Sequence, residues 1–198
     1  MKPRLPVAVR TLVAFALQTG DLESTFAGSQ RSLEGIRAHQ KIQRARPSGY
    51  QPEVSIRHEL ETADFILDIS GRMDGIFTDQ SRVVIDEIKS THKDLSTIEA
   101  HPDPLHWGQV QAYAWLYATH HDLDAVDTQL TYYQLTTHET REFRRTHTAQ
   151  DLEQFMAALL QDYIDWATRL ERWRRQRDQS IRDLDFPFDD FRDGQRHM

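Results

Sequence analysis

Asp74, Glu87 and Lys89 stand at spacings that suit the hydrolysis of a phosphodiester bond. They lie in Gly71-Arg72-Met73-Asp74-Gly75-Ile76 and in Val83-Val84-Ile85-Asp86-Glu87-Ile88-Lys89-Ser90. Side chains alternate along a strand, so Glu87 and Lys89 share a face while Asp86 takes the other. Glu87 is therefore preferred to its acidic neighbour. Asp74 ends the preceding strand. If a turn lays that strand antiparallel to the next, Asp74 comes beside Glu87, and the Ile88 carbonyl lies between as a further oxygen ligand. Carboxylate and carbonyl oxygens suit Mg²⁺ or Mn²⁺. Such an ion activates water and offsets charge on a phosphate. The lysine would orient the water and stabilise the transition state. The plainer alternative is an ion pair at a sheet edge, and Glu-x-Lys alone is common. An apolar strand and an Asp-Gly step ahead of it make the pattern far more specific.

The elements that must position these residues follow from periodicity. Residues 7–19 are expected to form a helix stopped by Gly20, 21–30 a loop, and 31–46 a second helix ended by Pro47-Ser48-Gly49. Strands are predicted at 53–60, 64–70 and 82–90, the last after the turn Thr78-Asp79-Gln80-Ser81. His101-Pro102-Asp103-Pro104 is a loop and 105–120 a helix rich in aromatics. Residues 129–136 and 140–147 alternate around Thr137-His138-Glu139, the pattern of a hairpin. Residues 149–177 carry a long amphipathic stripe. This order implies an α/β or α+β domain with a central mixed sheet flanked by helices.

Composition narrows the chemistry. The chain has 198 residues, enough for one domain with a core, and a formal charge of −7. That charge is unusual for a nucleic-acid partner, but DNA contact needs only a local basic patch. Of 24 basic residues, only Lys2, Lys41, Lys89 and Lys93 are lysines, so a lysine inside an apolar strand is a pointed choice. There is no cysteine, which excludes disulfides, thiolate zinc sites and iron–sulfur clusters within these residues and fits a cytoplasmic protein. No apolar run spans a bilayer, so no membrane partner is expected. Arg10 breaks the N-terminal apolar stretch and argues against a signal peptide. The ten histidines show no zinc spacing.

Gly71-Arg72-x-Asp74 followed by Asp86-Glu87-Ile88-Lys89 resembles the RecB-type branch of the PD-(D/E)XK nucleases. Two further marks of that branch have counterparts. Gly35-Ile36-Arg37-Ala38-His39 matches its upstream helix with a metal-binding histidine. Gln109-Val110-Gln111-Ala112-Tyr113 matches its Gln-x-x-x-Tyr helix, with His106 on the same face. The resemblance spans roughly residues 30–120. It implies a restriction-endonuclease-like core, with Asp74, Glu87, Lys89, Gln109 and Tyr113 as catalytic residues. His39, Asp74, Glu87 and Ile88 would hold the metal. Pro102-Asp103 spells the family's "PD" but follows the lysine, so it is discarded.

Phe186-Pro187-Phe188 and Arg192-Asp193-Gly194-Gln195 resemble the opening of the helicase core in XPD/DinG-like helicases. Tyr132-Tyr133-Gln134-Leu135 and an arginine-rich helix end fit the nuclease domain preceding such a core. The expected organisation is a nuclease domain over 1–180, then a linker and the start of a truncated helicase domain over 181–198. No Walker lysine motif is present. The expected function is a deoxyribonuclease favouring single-stranded DNA within a repair helicase, with the helicase domain its partner in cis. A catalytically silent DNA-binding or docking module is the alternative. Arg169, Arg172, Arg174, Arg175 and Arg177 read best as a solvated helix end favoured by the macrodipole.

Overall fold

A computed structural model describes residues 2–18, 29–100 and 103–184 of the chain, without the side chains of 29–32 and 100. The order is β1 (Arg4–Ala8), α1 (Val9–Leu17), α2 (Ser29–Ala45), β2 (Gln51–Glu61), β3 (Ile66–Asp79), β4 (Arg82–Thr91), α3 (Leu95–Ala100), α4 (Pro104–His121), β5 (Ala125–Gln134), β6 (Thr140–Thr148) and α5 (Ala149–Arg182). One mixed sheet runs β1-β3-β4-β5-β6, with β2 paired to β3. Helices flank it, as expected for a restriction-endonuclease-like α+β core. The chain divides into a compact unit ending at Tyr163 and a second beginning at Ile164. In the second unit, Arg174 pairs with Glu171 and Arg177 with Asp178, a salt-bridged helix end. The tail motif of residues 186–195 lies outside the described residues.

Several expectations need correction. Residues 4–8 are a strand ahead of a shorter helix, not the start of a helix over 7–19. Five residues carrying Pro6 have little strand character of their own. Their hydrogen bonds come from parallel pairing with Ile66–Ser70, at the edge where a proline is tolerated. Helix α3 was not anticipated, and α5 runs to Arg182 rather than 177. The largest difference is β3, which continues through Gly71 and Gly75 to Asp79 instead of ending at residue 70. Both glycines serve close approach. A Cβ on Gly71 would lie 2.6 Å from the Tyr113 ring, and one on Gly75 would overlap the Tyr50 hydroxyl. The expected turn does follow: Gln80 and Ser81 both take positive φ, closing the two-residue hairpin whose last pair is Asp79 with Arg82.

That long strand creates the feature on which the site depends. One edge of β3 pairs with β2 from Ile66 to Ile76. The other is shared: β1 takes Ile66–Ser70 and β4 takes Gly75–Asp79. Residues 71–74 have no ladder partner on this edge, so the sheet forks there.

Strand β4 lies between β3 and β5 and faces two helices. Glu87 and Lys89 turn toward α4, while Ile88 packs with Ala38 and Ile42 of α2 and with Tyr133. Asp103 caps α4 by accepting from the Leu105 N–H at 2.8 Å, with Pro104 as the first helical residue. The aspartate of the discarded "PD" is thus a helix cap, while its proline lies outside the described residues.

Candidate active site

The fork brings the expected residues together. Asp74 extends its carboxylate across the gap, and its Oδ2 accepts from the Ile88 N–H at 2.7 Å where the β3–β4 ladder ends. Its Oδ1 lies 3.4 Å from His39 Nδ1 on α2. Burial lowers the affinity of His39 for a proton, but the hydrogen bond and charge of Asp74, with the charge of Glu87, outweigh it, and the imidazole pKa ends raised. Gly35, one turn earlier, allows close approach to β4: a Cβ there would sit 3.3 Å from Ser90 Oγ.

Glu87 is only 3% exposed. Lys89 Nζ donates to its Oε1 at 2.7 Å and to Gln109 Oε1 at 3.0 Å. The other carboxylate oxygen, Oε2, is buried with no hydrogen-bond partner. Burial pushes the Glu87 carboxyl up to about 7, with the Asp74 charge adding and the Lys89 ammonium opposing. A carboxylate held this way gains from any further cation.

Tyr113 is buried on the site side of α4, over Gly71, bonded to Gln109 and the Arg72 backbone. Burial, with the Glu87 charge adding, lifts its hydroxyl to about 12, so it stays protonated. His106 shares a cleft of about 520 Å³ with His39, Ile88, Lys89 and Gln109, closed on another side by Arg10 and Gln18. Burial pushes it down to about 4, with Lys89 adding, so it is neutral; its Nδ1 lies 2.7 Å from the Tyr132 hydroxyl. The Ile88 side chain is in the core, and only its backbone borders the two carboxylates.

Among the described residues no three His, Cys, Asp or Glu side chains already surround one point. Lys89 holds one oxygen of Glu87 and the Ile88 amide one oxygen of Asp74. The donors nevertheless fit a divalent cation: Glu87 Oε2 is a desolvated oxygen with no partner, and Asp74, His39 and the Ile88 backbone add the hard-oxygen and imidazole chemistry such ions take.

The sequence reading missed what fastens α2 to the fork. His39, Gln43 and Arg46 recur at helical spacing. Gln43 Nε2 donates to the Asp74 backbone carbonyl at 2.9 Å. Arg46, just past the helix, donates to Asp86 at 2.7 Å and Thr131 at 2.6 Å, and pairs with Glu142. Asp86, correctly set apart from Glu87 by strand parity, also accepts from Tyr50, Gln129 and Thr131. Burial raises its pKa against these donors. The signal was a polar stripe on a helix face that should have been apolar. Asp86→Ala would leave the Arg46 guanidinium without its buried partner. Stability should fall by about 3 kcal/mol or more in urea unfolding; a loss below about 1 kcal/mol would show that the network does not anchor α2.

Residues 8–193 match the family model of the PD-(D/E)XK nuclease superfamily. No curated protein matches the chain. Among solved structures, LHK-Exo, described as an alkaline exonuclease from Laribacter hongkongensis, superposes with a TM-score of 0.51 at 15% identity, over 88% of this chain and 94% of its own. The same protein in complex with dAMP gives 0.54 at 17% identity, over 87% and 93%. A structure described as SSO0001 gives 0.53 at 18% identity, over 81% and 77%. At these identities the likeness establishes a shared fold.

Proposed function

The chain belongs to the PD-(D/E)XK nuclease superfamily, whose members use divalent metal ions, and on that premise we propose that it is a deoxyribonuclease acting with Mg²⁺ or Mn²⁺ and favouring single-stranded DNA. The observation carrying this reading is the buried Glu87 with one oxygen on Lys89 and the other unpartnered, beside Asp74 at the sheet fork.

In this reading Asp74, Glu87 and the Ile88 carbonyl hold the cation, and His39 completes the set, its nitrogen favouring Mn²⁺. The bound ion would supply Lewis-acid polarisation and charge neutralisation at the phosphate. Lys89 is held by two acceptors, so its ammonium is placed before substrate arrives. It orients the attacking water and offsets charge gathering on the phosphate oxygens. Gln109 fixes the lysine, and Tyr113, protonated and bonded to Gln109, keeps that amide oriented. Gly71 and Gly75 let Tyr113 and Tyr50 pack against β3.

The tail resemblance supports a wider proposal: a nuclease domain over 1–180, followed over 181–198 by a linker and the start of a helicase domain, serving DNA repair within one chain. No described helix is long and apolar enough to cross a membrane.

Cleavage of end-labelled single- and double-stranded DNA with Mg²⁺ or Mn²⁺, and its loss with EDTA, is the expected result. Tight DNA binding without cleavage under any metal would replace this reading by the silent docking module.

A further inference from the structure

Three clefts join end to end across the face of the sheet that carries Glu87. The site cleft shares His106 with a second of about 360 Å³, and that one shares Tyr132 and Ile98 with a third of about 390 Å³. The third has Trp107, Tyr132 and Phe143 as its wall and Arg145 at its mouth. The β-ladders place it in register with the site: Glu87 pairs with Leu130, and Leu130 with Phe143. Two strand spacings amount to roughly 10 Å. That is about three nucleotides at the stacked spacing of a nucleic-acid strand.

Resting on the nuclease reading, we propose that this third cleft is a subsite for an unpaired nucleobase of the substrate strand, held beside Phe143 and Arg145. The Arg145 guanidinium lies 3.7 Å from the centre of the Trp107 ring. Among the described residues no carboxylate pairs with it, whereas Arg141 and Arg144, on the same strand, pair with Glu99 and Asp79. A flat cation fixed on an indole and not neutralised by a carboxylate is a stacking surface for a base attached to a polyanion. Phe143, half-buried, meets Tyr132 edge-on at 6.0 Å. The Tyr132 hydroxyl is already bonded to His106, so the wall presents ring surface with its polar group satisfied. The rim acids Glu99 and Glu142 are neutralised by Arg141 and Arg46, which removes their repulsion of a phosphate backbone. Stacking on an aromatic is available to every base, so the subsite selects for an unpaired base and not for sequence. It therefore supplies a reason for single-strand preference that the metal site alone lacks.

The test uses the full chain with Phe143→Ala and Arg145→Ala. Oligonucleotides carry one 2-aminopurine, moved stepwise along the strand, and fluorescence is read on the slowed Lys89→Ala background with Mg²⁺, before measurable cleavage. One position should be strongly quenched, and each of the two substitutions should abolish that quench. In the wild-type background each should raise KM for single-stranded DNA roughly tenfold, with kcat little changed. An abasic nucleotide at the quenched position should raise the wild-type KM similarly and remove the effect of both substitutions. Equal fluorescence at every position, or unchanged KM in both variants, overturns the subsite. A wild-type protein that cleaves nothing overturns the nuclease reading, while the fluorescence still decides this one. A position-specific quench that survives both Phe143→Ala and Arg145→Ala overturns it as well.

Discussion

Lys89→Ala is expected to slow DNA cleavage about 100-fold or more, because it removes one preorganised charged donor from the reacting centre. Its ammonium lies between Glu87 and Gln109 and contacts no other described side chain of the cleft by hydrogen bond. Mn²⁺ binding should survive, since lysine is not a ligand. Two smaller effects oppose one another there. Loss of the ammonium raises the proton affinity of Glu87, which competes with metal, but it also removes a positive charge that repels the ion. Calorimetry at rising pH separates the two, because competition from the Glu87 proton weakens as pH rises and the charge repulsion does not. Lys89→Arg is not a safe replacement, because a planar fork does not put a point charge at the same place. Wild-type cleavage by Lys89→Ala would reduce Lys89 to the ion-pair partner of a strand end and remove the catalytic centre from the proposal.

Asp74→Asn should have the larger effect. The amide oxygen of asparagine still accepts from the Ile88 N–H, so the end of the β3–β4 ladder is kept while the charge goes. Without that charge the cation loses a principal ligand, and His39 loses the partner that raises its pKa. Cleavage should fall on the order of 1000-fold, the rate equivalent of about 4 kcal/mol of lost charge stabilisation. Mn²⁺ binding by calorimetry should fall in parallel, and Asp74→Ala should do the same with an added loss of stability. Equal Mn²⁺ affinity in wild type and both variants would show that Asp74 is not a ligand and that its carboxylate serves only to close the ladder.

The two substitutions separate because of where the sheet forks, and that fork was hidden in the sequence. Gly71 and Gly75 weaken a strand pattern, and the predicted strand stops at residue 70 with Asp74 near its end. The strand passes straight through them because each makes room for a tyrosine, one on α4 and one after α2. A close approach between distant segments leaves no local trace beyond the glycine itself. The same holds for β1, whose hydrogen bonds all come from residues some sixty positions away. Gln43, Arg46 and Tyr50 went unnoticed for a related reason: their partners, Asp74 and Asp86, are distant in sequence.

What the sequence determined by itself was the face on which each chemical group stands. Strand alternation alone separated Glu87 and Lys89 from Asp86, and helical spacing alone put Gln109 and Tyr113 on one side of α4. Both are properties of the local backbone, which neighbouring residues set. Tertiary structure alone decided the rest: that Asp74 crosses the fork to Ile88, that Lys89 takes one oxygen of Glu87 and leaves the other buried without a partner, and that His39 is held within reach by Gln43 and Arg46. Those outcomes depend on burial and on contacts between segments far apart in the chain, and such contacts form only when the helices close over the sheet.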